Sequence, residues 1–125
     1  MAEYVEQLKL ESDEASRLKL DVLRALVVFG GSLWLSEIPS SIERLYLGER
    51  AAPSTSDVKK ALKDLASRGL VRTEERVRGT DKPQGEKDVL VLLADGRVRG
   101  SLLSDEVLNR YYLSLTEELG KLRKE

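Results

Sequence analysis

The sequence contains no cysteine and no histidine. Without cysteine, disulfides, thiolate metal sites and cysteine nucleophiles are excluded. Without histidine, acid–base catalysis by imidazole is excluded as well. Carboxylate chemistry remains open, but the adjacent acids Glu74–Glu75 and Asp105–Glu106 have no accompanying catalytic constellation. We therefore expect a protein that is not an enzyme and that uses no metal and no cofactor.

Long apolar runs are also missing. No stretch approaches the roughly 18–20 residues needed to span a bilayer, and the N-terminus lacks the pattern of a signal peptide. The 125 residues, 41% of them hydrophobic, are enough for one compact domain with a buried core. We expect a soluble, cytoplasmic protein that does not contact membranes.

The net charge of −1 hides an uneven distribution. Residues 1–21 carry six acids against three bases, whereas residues 59–87 carry nine bases against five acids. An acidic start and a basic middle favour an anionic partner for the middle of the chain.

Two helices are predicted in the first half of the chain. Ser12 or Asp13 caps the first, which Gly30-Gly31 ends, and the second runs from a Ser36 cap to Gly48. Residues 1–11 form an amphipathic stretch that is either helical or frayed, and residues 32–35 form a short strand or extended link. The buried stripe of the first helix is Leu18, Val22, Ala25, Leu26 and Phe29.

The clearest element is a third helix over residues 54–68. Ser54 is a suitable N-cap, Asp57 can complete a capping box, and Gly69 stands where a helix end favours positive φ. One face is apolar through Val58, Ala61, Leu62, Leu65 and Ala66. The other face carries Thr55, Ser56, Lys59, Lys60 and Lys63.

A β-hairpin is predicted next, with strands at residues 70–78 and 87–93 around a polar loop. The returning strand is apolar on both faces, so we expect the C-terminal helix or a partner chain to cover its second face. Residues 94–103 allow two readings. Asp95-Gly96 either forms a tight turn into a further strand, or Asp95 caps a helix.

The last helix is predicted to start at a Ser104 cap. Its length, together with the two-sided strand before it, favours a dimer seam over a simple cap on the monomer core. The expected organisation is therefore a domain over residues 1–103 and a dimerisation element over residues 104–125. The expected interface residues of this homodimer are Leu108, Tyr111, Leu115, Leu119 and Leu122.

This order of elements resembles the winged helix-turn-helix fold of MarR/PadR-like prokaryotic and archaeal transcription regulators. The residues that carry the resemblance are Ser54–Leu65, the phrase from Leu62 to Val71, and the segment between Arg72 and Val89. The connector Gly48–Pro53 is longer than the turn of the simplest helix-turn-helix. The resemblance implies an α+β, mostly α fold, with a three-helix core, a β-hairpin wing and a long C-terminal helix.

It also implies sequence-specific or semi-specific binding of double-stranded DNA by a transcription regulator. Helix 54–68 would enter the major groove and wing 72–89 would contact the backbone. The side chains expected to contact DNA are Ser54, Thr55, Ser56, Lys59, Lys60, Lys63, Arg72, Arg76, Arg78, Lys82 and Lys87.

The exposed face of this helix lacks arginine and asparagine, so it predicts DNA contact better than sequence selectivity. The alternative function is a winged-helix protein-interaction module, with a protein partner in a transcription or replication complex.

Overall fold

The computed structural model describes residues 2–79 and 83–123, without the side chains of residues 2, 119 and 121–123. These residues form an α+β, mostly helical structure, as the sequence predicts at that level. The elements are α1 (Ala2–Leu10), α2 (Glu14–Val28), β1 (Ser32–Trp34), α3 (Ile38–Leu45), α4 (Thr55–Ser67), β2 (Val71–Arg78), β3 (Glu86–Leu93), α5 (Arg97–Ser101) and α6 (Glu106–Arg123).

Helix α2 lies at the centre of the fold. Asp13 caps it, with the carboxylate accepting the Ser16 backbone N–H at 3.0 Å. Every residue from 20 to 26 is buried, because α1, α3, α4 and α5 all pack around this helix. The buried run includes two charged residues, Asp21 and Arg24.

The first residues of the chain belong to the same core. Of the predicted stretch 1–11, the described part takes the helical alternative over Ala2–Leu10, and α1 buries Val5 and Leu8 completely. At the end of α1, the Lys9 ammonium donates a hydrogen bond to the Ser101 carbonyl at 2.6 Å. Helix α1 therefore holds α5 as well as α2.

The start of α3 differs from the prediction. Ser36 does not cap this helix, because it lies inside a 3-10 turn (Leu35–Glu37) that precedes Ile38. Its hydroxyl instead donates to the Asp88 carboxylate and accepts an N–H from the Arg78 guanidinium at 3.0 Å. The side chain ties the turn to the hairpin.

The transition from α4 into the hairpin follows the predicted chemistry. Gly69 has φ 76°, and the Leu70 N–H reaches back to the Leu65 carbonyl at 3.0 Å. This closes the helix end in the manner that favours glycine. The strands then pair antiparallel in the order β1-β3-β2, which makes β3 central.

The register separates the two apolar faces of β3. Val91 is fully buried on the core side. On the outer side, Leu90 lies directly opposite Trp34 and both are half-buried, as is Leu92. The C-terminal helix, one of the two predicted covers for this face, packs chiefly against α3.

Residues 94–103 take the helical alternative, so the alternative of a further strand is wrong. Helix α5 begins after a turn in which the Asp95 carboxylate accepts the Arg97 N–H at 3.0 Å. Val98 and Leu102 are buried, and this anchoring outweighs the two glycines of the segment.

The start of α6 is set by Asp105 and not by the predicted Ser104 cap. The Asp105 carboxylate accepts the Leu108 N–H at 3.1 Å, as an N-cap does. It also receives two hydrogen bonds from the Arg24 guanidinium, at 2.9 Å from Nε and 2.8 Å from Nη2. The same carboxylate therefore caps α6 and pairs with α2.

Arg24 serves a second carboxylate. Its Nη1 lies 2.9 Å from Asp21, whose carboxylate also accepts the Tyr46 hydroxyl. The exposed fractions of Arg24, Asp21 and Asp105 are 9%, 5% and 6%. Burial and the bond to Asp21 raise the pKa of Tyr46 to about 12, and burial also raises the pKa of Asp21. These four side chains, the Arg24 network, join α2, the end of α3 and the start of α6.

We predict that Asp105→Ala lowers the free energy of unfolding by about 3–5 kcal/mol, because Arg24 then keeps its buried charge without its bidentate partner. Asp105→Asn retains an acceptor for the Leu108 N–H, so its smaller loss isolates the contribution of the ion pair. Urea denaturation of the full chain measures both variants. A loss below about 1 kcal/mol for Asp105→Ala, the range of exposed pairs, contradicts this role.

Candidate nucleic-acid interface

Helix α4 has one buried face and one cationic face. Val58, Ala61, Leu62 and Leu65 are buried as predicted, while Ala66 is half-buried. The Ser54 hydroxyl oxygen accepts the Asp57 N–H at 3.1 Å, so this predicted contact residue serves first as the helix cap. The remaining predicted residues of α4 are all exposed on the solvent side: Thr55, Ser56, Lys59, Lys60 and Lys63.

The three lysines of α4 have no carboxylate partner among the described residues. Their positions on the helix place Lys60 and Lys63 opposite the buried face, with Lys59 at its border. A cation without a local partner is available to an external anion at little cost in lost ion pairs.

Asp64 is the acid of α4 that is neutralised within the fold. Its carboxylate accepts a hydrogen bond from the Tyr4 hydroxyl at 2.6 Å. The same carboxylate lies 3.2 Å from Nζ of Lys19 and 3.2 Å from Nε of Arg68. The Tyr4 hydrogen bond, with help from both cations, holds the pKa of Asp64 below its ordinary value. The Arg68 guanidinium also lies 3.9 Å from the centre of the Tyr4 ring. This cluster fastens α1 and α2 to the side of α4.

The hairpin arginines differ from the lysines of α4 because they have local partners. Glu74 lies 3.4 Å from Arg72 and 2.6 Å from Arg76. The hydrogen bond from Arg76, with the charge of Arg72, lowers the pKa of Glu74. Arg78 lies 3.7 Å from Asp88 and also contacts Ser36. A phosphate would have to compete with these carboxylates.

The register also divides the predicted hairpin residues between two faces. Arg72, Arg76 and Arg78 alternate along β2 and share the outer face of the sheet. Lys87 pairs with Val77 and therefore lies on the opposite face. Lys82 lies outside the described residues. The structure thus groups the three arginines and separates Lys87 from them.

A cleft of about 570 Å³ lies between the start of α2, the connector before α4, and α4 itself. Lys60 lines it from α4, and two exposed arginines absent from the predicted site, Arg17 and Arg50, line it as well. Nothing in the sequence pattern brings Arg17 next to α4, because the two are joined only by the packing of α2. Arg50 could have been predicted from the sequence, since a basic residue in the connector before a helix lies near the N-terminus of that helix.

The predicted dimer interface requires a correction. Leu108 and Tyr111 are only 3% and 6% exposed within the single chain, and the Tyr111 ring packs edge-on against Phe29 at 5.8 Å. They are core residues, because the first turns of α6 lie against α3 and the end of α2. Leu115 is 39% exposed. The side chains of Leu119 and Leu122 lie outside the described residues.

Among the residues that the structure describes, no group of three acids is arranged to hold a metal ion. Within the same ranges, no helix combines the length and the apolar character that a membrane span requires. No protein-family model, no curated protein and no solved structure matches this chain.

Proposed function

We propose that this protein binds double-stranded DNA and acts as a transcription regulator with a winged helix-turn-helix fold. In this proposal α4 enters the major groove and the β2–β3 hairpin contacts the flanking backbone. The observation that carries it is the face of α4 with Lys59, Lys60 and Lys63, exposed and without partners among the described residues.

Physical chemistry supports this use of the face. The major groove is about 12 Å wide and admits one α-helix, and each neutralised phosphate releases bound counterions. The buried side of α4 is sealed against the domain, so only its lysine side is available to a groove. The hydroxyls of Thr55 and Ser56 are small and exposed, which permits close approach to the backbone.

The proposed binding is selective only to a modest degree. The outward face of α4 offers no arginine or asparagine for bidentate contacts with bases. Lysines and small hydroxyls bind phosphates well and distinguish bases poorly. Selectivity in this proposal comes from DNA shape or from the hairpin.

We predict that Lys59→Gln with Lys63→Gln weakens duplex binding and reduces the slope of log affinity against log salt by about 1.8, or 0.9 for each lost phosphate contact. Fluorescence anisotropy with the full chain, between about 50 and 200 mM salt, measures both quantities.

The matched control is Arg97→Gln with Arg110→Gln, which removes the same charge from α5 and α6. Both arginines are exposed and pair with single acids. Equal loss in the two double variants means that only net charge matters, and an unchanged slope in the α4 variant contradicts the proposed contact.

Glu74 competes with phosphate for two arginines of β2. Glu74 forms salt bridges with both Arg72 and Arg76. Glu74→Gln frees both arginines for phosphates, so we expect it to tighten duplex binding and to steepen the salt slope by up to about 1.8. Glu75→Gln is the matched control, since it removes the same charge from the opposite face of the strand, where no ion pair involves it among the described residues. If both variants change the slope equally, or neither does, β2 does not contact phosphates.

One observation favours the second candidate function, a protein-interaction module. Trp34, Leu90 and Leu92 lie together on the outer face of the sheet and are only half-buried. An apolar sheet face suits a protein surface better than a phosphate backbone. Absence of duplex binding by the unmodified chain at about 50 mM salt favours this candidate over the first.

The proposed homodimer now rests on the second half of α6. Leu115 continues the apolar stripe beyond the part that the core covers, and Leu119 and Leu122 follow at helical spacing in the sequence. Sedimentation equilibrium at tens of micromolar tests this, and a monomer there contradicts it.

A further inference from the structure

The cleft between α2 and α4 is lined by both apolar and charged residues. The apolar part of the lining consists of small or aliphatic side chains, and the other lining residues are charged. Its volume of about 570 Å³ lies within the common range of ligand sites, roughly 300–1,000 Å³. The apolar members are Ala15, Leu18, Ala51, Pro53 and Ala61.

Most of the cations that line this cleft form no salt bridge within the described part of the fold. Of the four bases that line it, Lys19 is neutralised by Asp64 at 3.2 Å. The other three, Arg17, Arg50 and Lys60, form no salt bridge with a carboxylate among the described residues. They approach the cleft from three separate segments of chain: α2, the connector and α4.

Two carboxylates, Glu14 and Asp57, also line the cleft, and neither forms an ion pair within the described ranges. Each lies in the first turn of a helix, where the helix dipole favours a negative charge. After the Lys19–Asp64 pair is set aside, the cleft therefore keeps an excess of one positive charge.

The Arg50 side chain packs on an aromatic ring. The Arg50 guanidinium lies 4.9 Å from the centre of the Tyr46 ring, and the Tyr46 hydroxyl donates to Asp21. Burial raises the pKa of Asp21, and the charge of Arg17, one turn earlier on α2, opposes that rise. Arg17 lines the cleft from α2, Arg50 from the connector and Lys60 from α4.

We propose that this cleft binds a phosphate group, held by Arg17 of α2, Arg50 of the connector and Lys60 of α4. Guanidinium groups match phosphate oxygens in a bidentate manner, and an ammonium adds a mobile point charge. The phosphate is supplied either by the backbone of a DNA duplex seated on α4 or by a small phosphorylated molecule. The first source rests on the proposed function, and the second does not.

The test compares the unmodified full chain with Arg17→Gln/Arg50→Gln. One readout is the melting temperature in inorganic phosphate, against sodium chloride of equal ionic strength. The other is the salt slope of duplex binding. We expect phosphate to stabilise the unmodified chain and not the variant, by mass action on the folded state. If the duplex supplies the phosphate, the variant also loses about 0.9 from the salt slope.

Three further variants keep the test decisive. Arg17→Lys/Arg50→Lys retains the charge and should retain most of the phosphate effect. Lys60→Gln removes the α4 cation of the site and leaves the contact between Arg50 and Tyr46 in place. Lys59→Gln/Lys63→Gln lies outside the cleft lining and should leave the phosphate stabilisation unchanged.

The outcomes separate the two proposals. Loss of phosphate stabilisation assigns the site to a small phosphorylated molecule if the salt slope is unchanged, or if the unmodified chain binds no duplex. A reduced slope without phosphate stabilisation assigns it to the DNA backbone. If neither readout distinguishes Arg17→Gln/Arg50→Gln from the Arg97→Gln/Arg110→Gln control, the cleft holds no phosphate.

Discussion

Arg24 brings a positive charge into the buried centre of α2, and the fold satisfies that charge with two carboxylates from different parts of the chain. Moving a guanidinium out of water costs several kcal/mol unless hydrogen bonds replace the lost hydration. Asp105 supplies two of these bonds and Asp21 a third. Because Asp105 also caps α6, its pair with Arg24 fixes the position of the start of this helix against α2.

Helix α2 also neutralises an acidic residue of α4, next to the proposed interface. Charged groups on the buried side of α2 pair within the Arg24 network, and Lys19 on its other side pairs with Asp64 of α4. Asp64 is thereby removed from the electrostatics of the lysine face. What α4 offers to a partner is then chiefly cationic, as polyanion binding requires.

The local features of α4 and the hairpin could be predicted because they depend on neighbouring residues. The Ser54 cap, the buried positions of α4 and the positive φ of Gly69 all follow from short-range rules. The pairing of Arg72 and Arg76 with Glu74 was also within reach, because alternate residues of a strand share one face.

Other features could not be predicted, since they depend on tertiary packing. Asp105 precedes a helix in the sequence, but only the folded chain brings it to Arg24. Ser36 is a good cap residue by type, yet a 3-10 turn and the nearby Asp88 redirect its hydroxyl. Leu108 and Tyr111 have the spacing of a dimer seam, and the same spacing serves a helix that packs on its own domain.

The central claim is that the lysine face of α4 contacts duplex DNA. An NMR titration that follows backbone amide resonances of the full chain with a duplex tests it most directly. We expect saturable shifts concentrated in α4 and the β2–β3 hairpin, which fade as salt is raised. Shifts confined to α5 and α6, or no shifts at low salt, would contradict the claim.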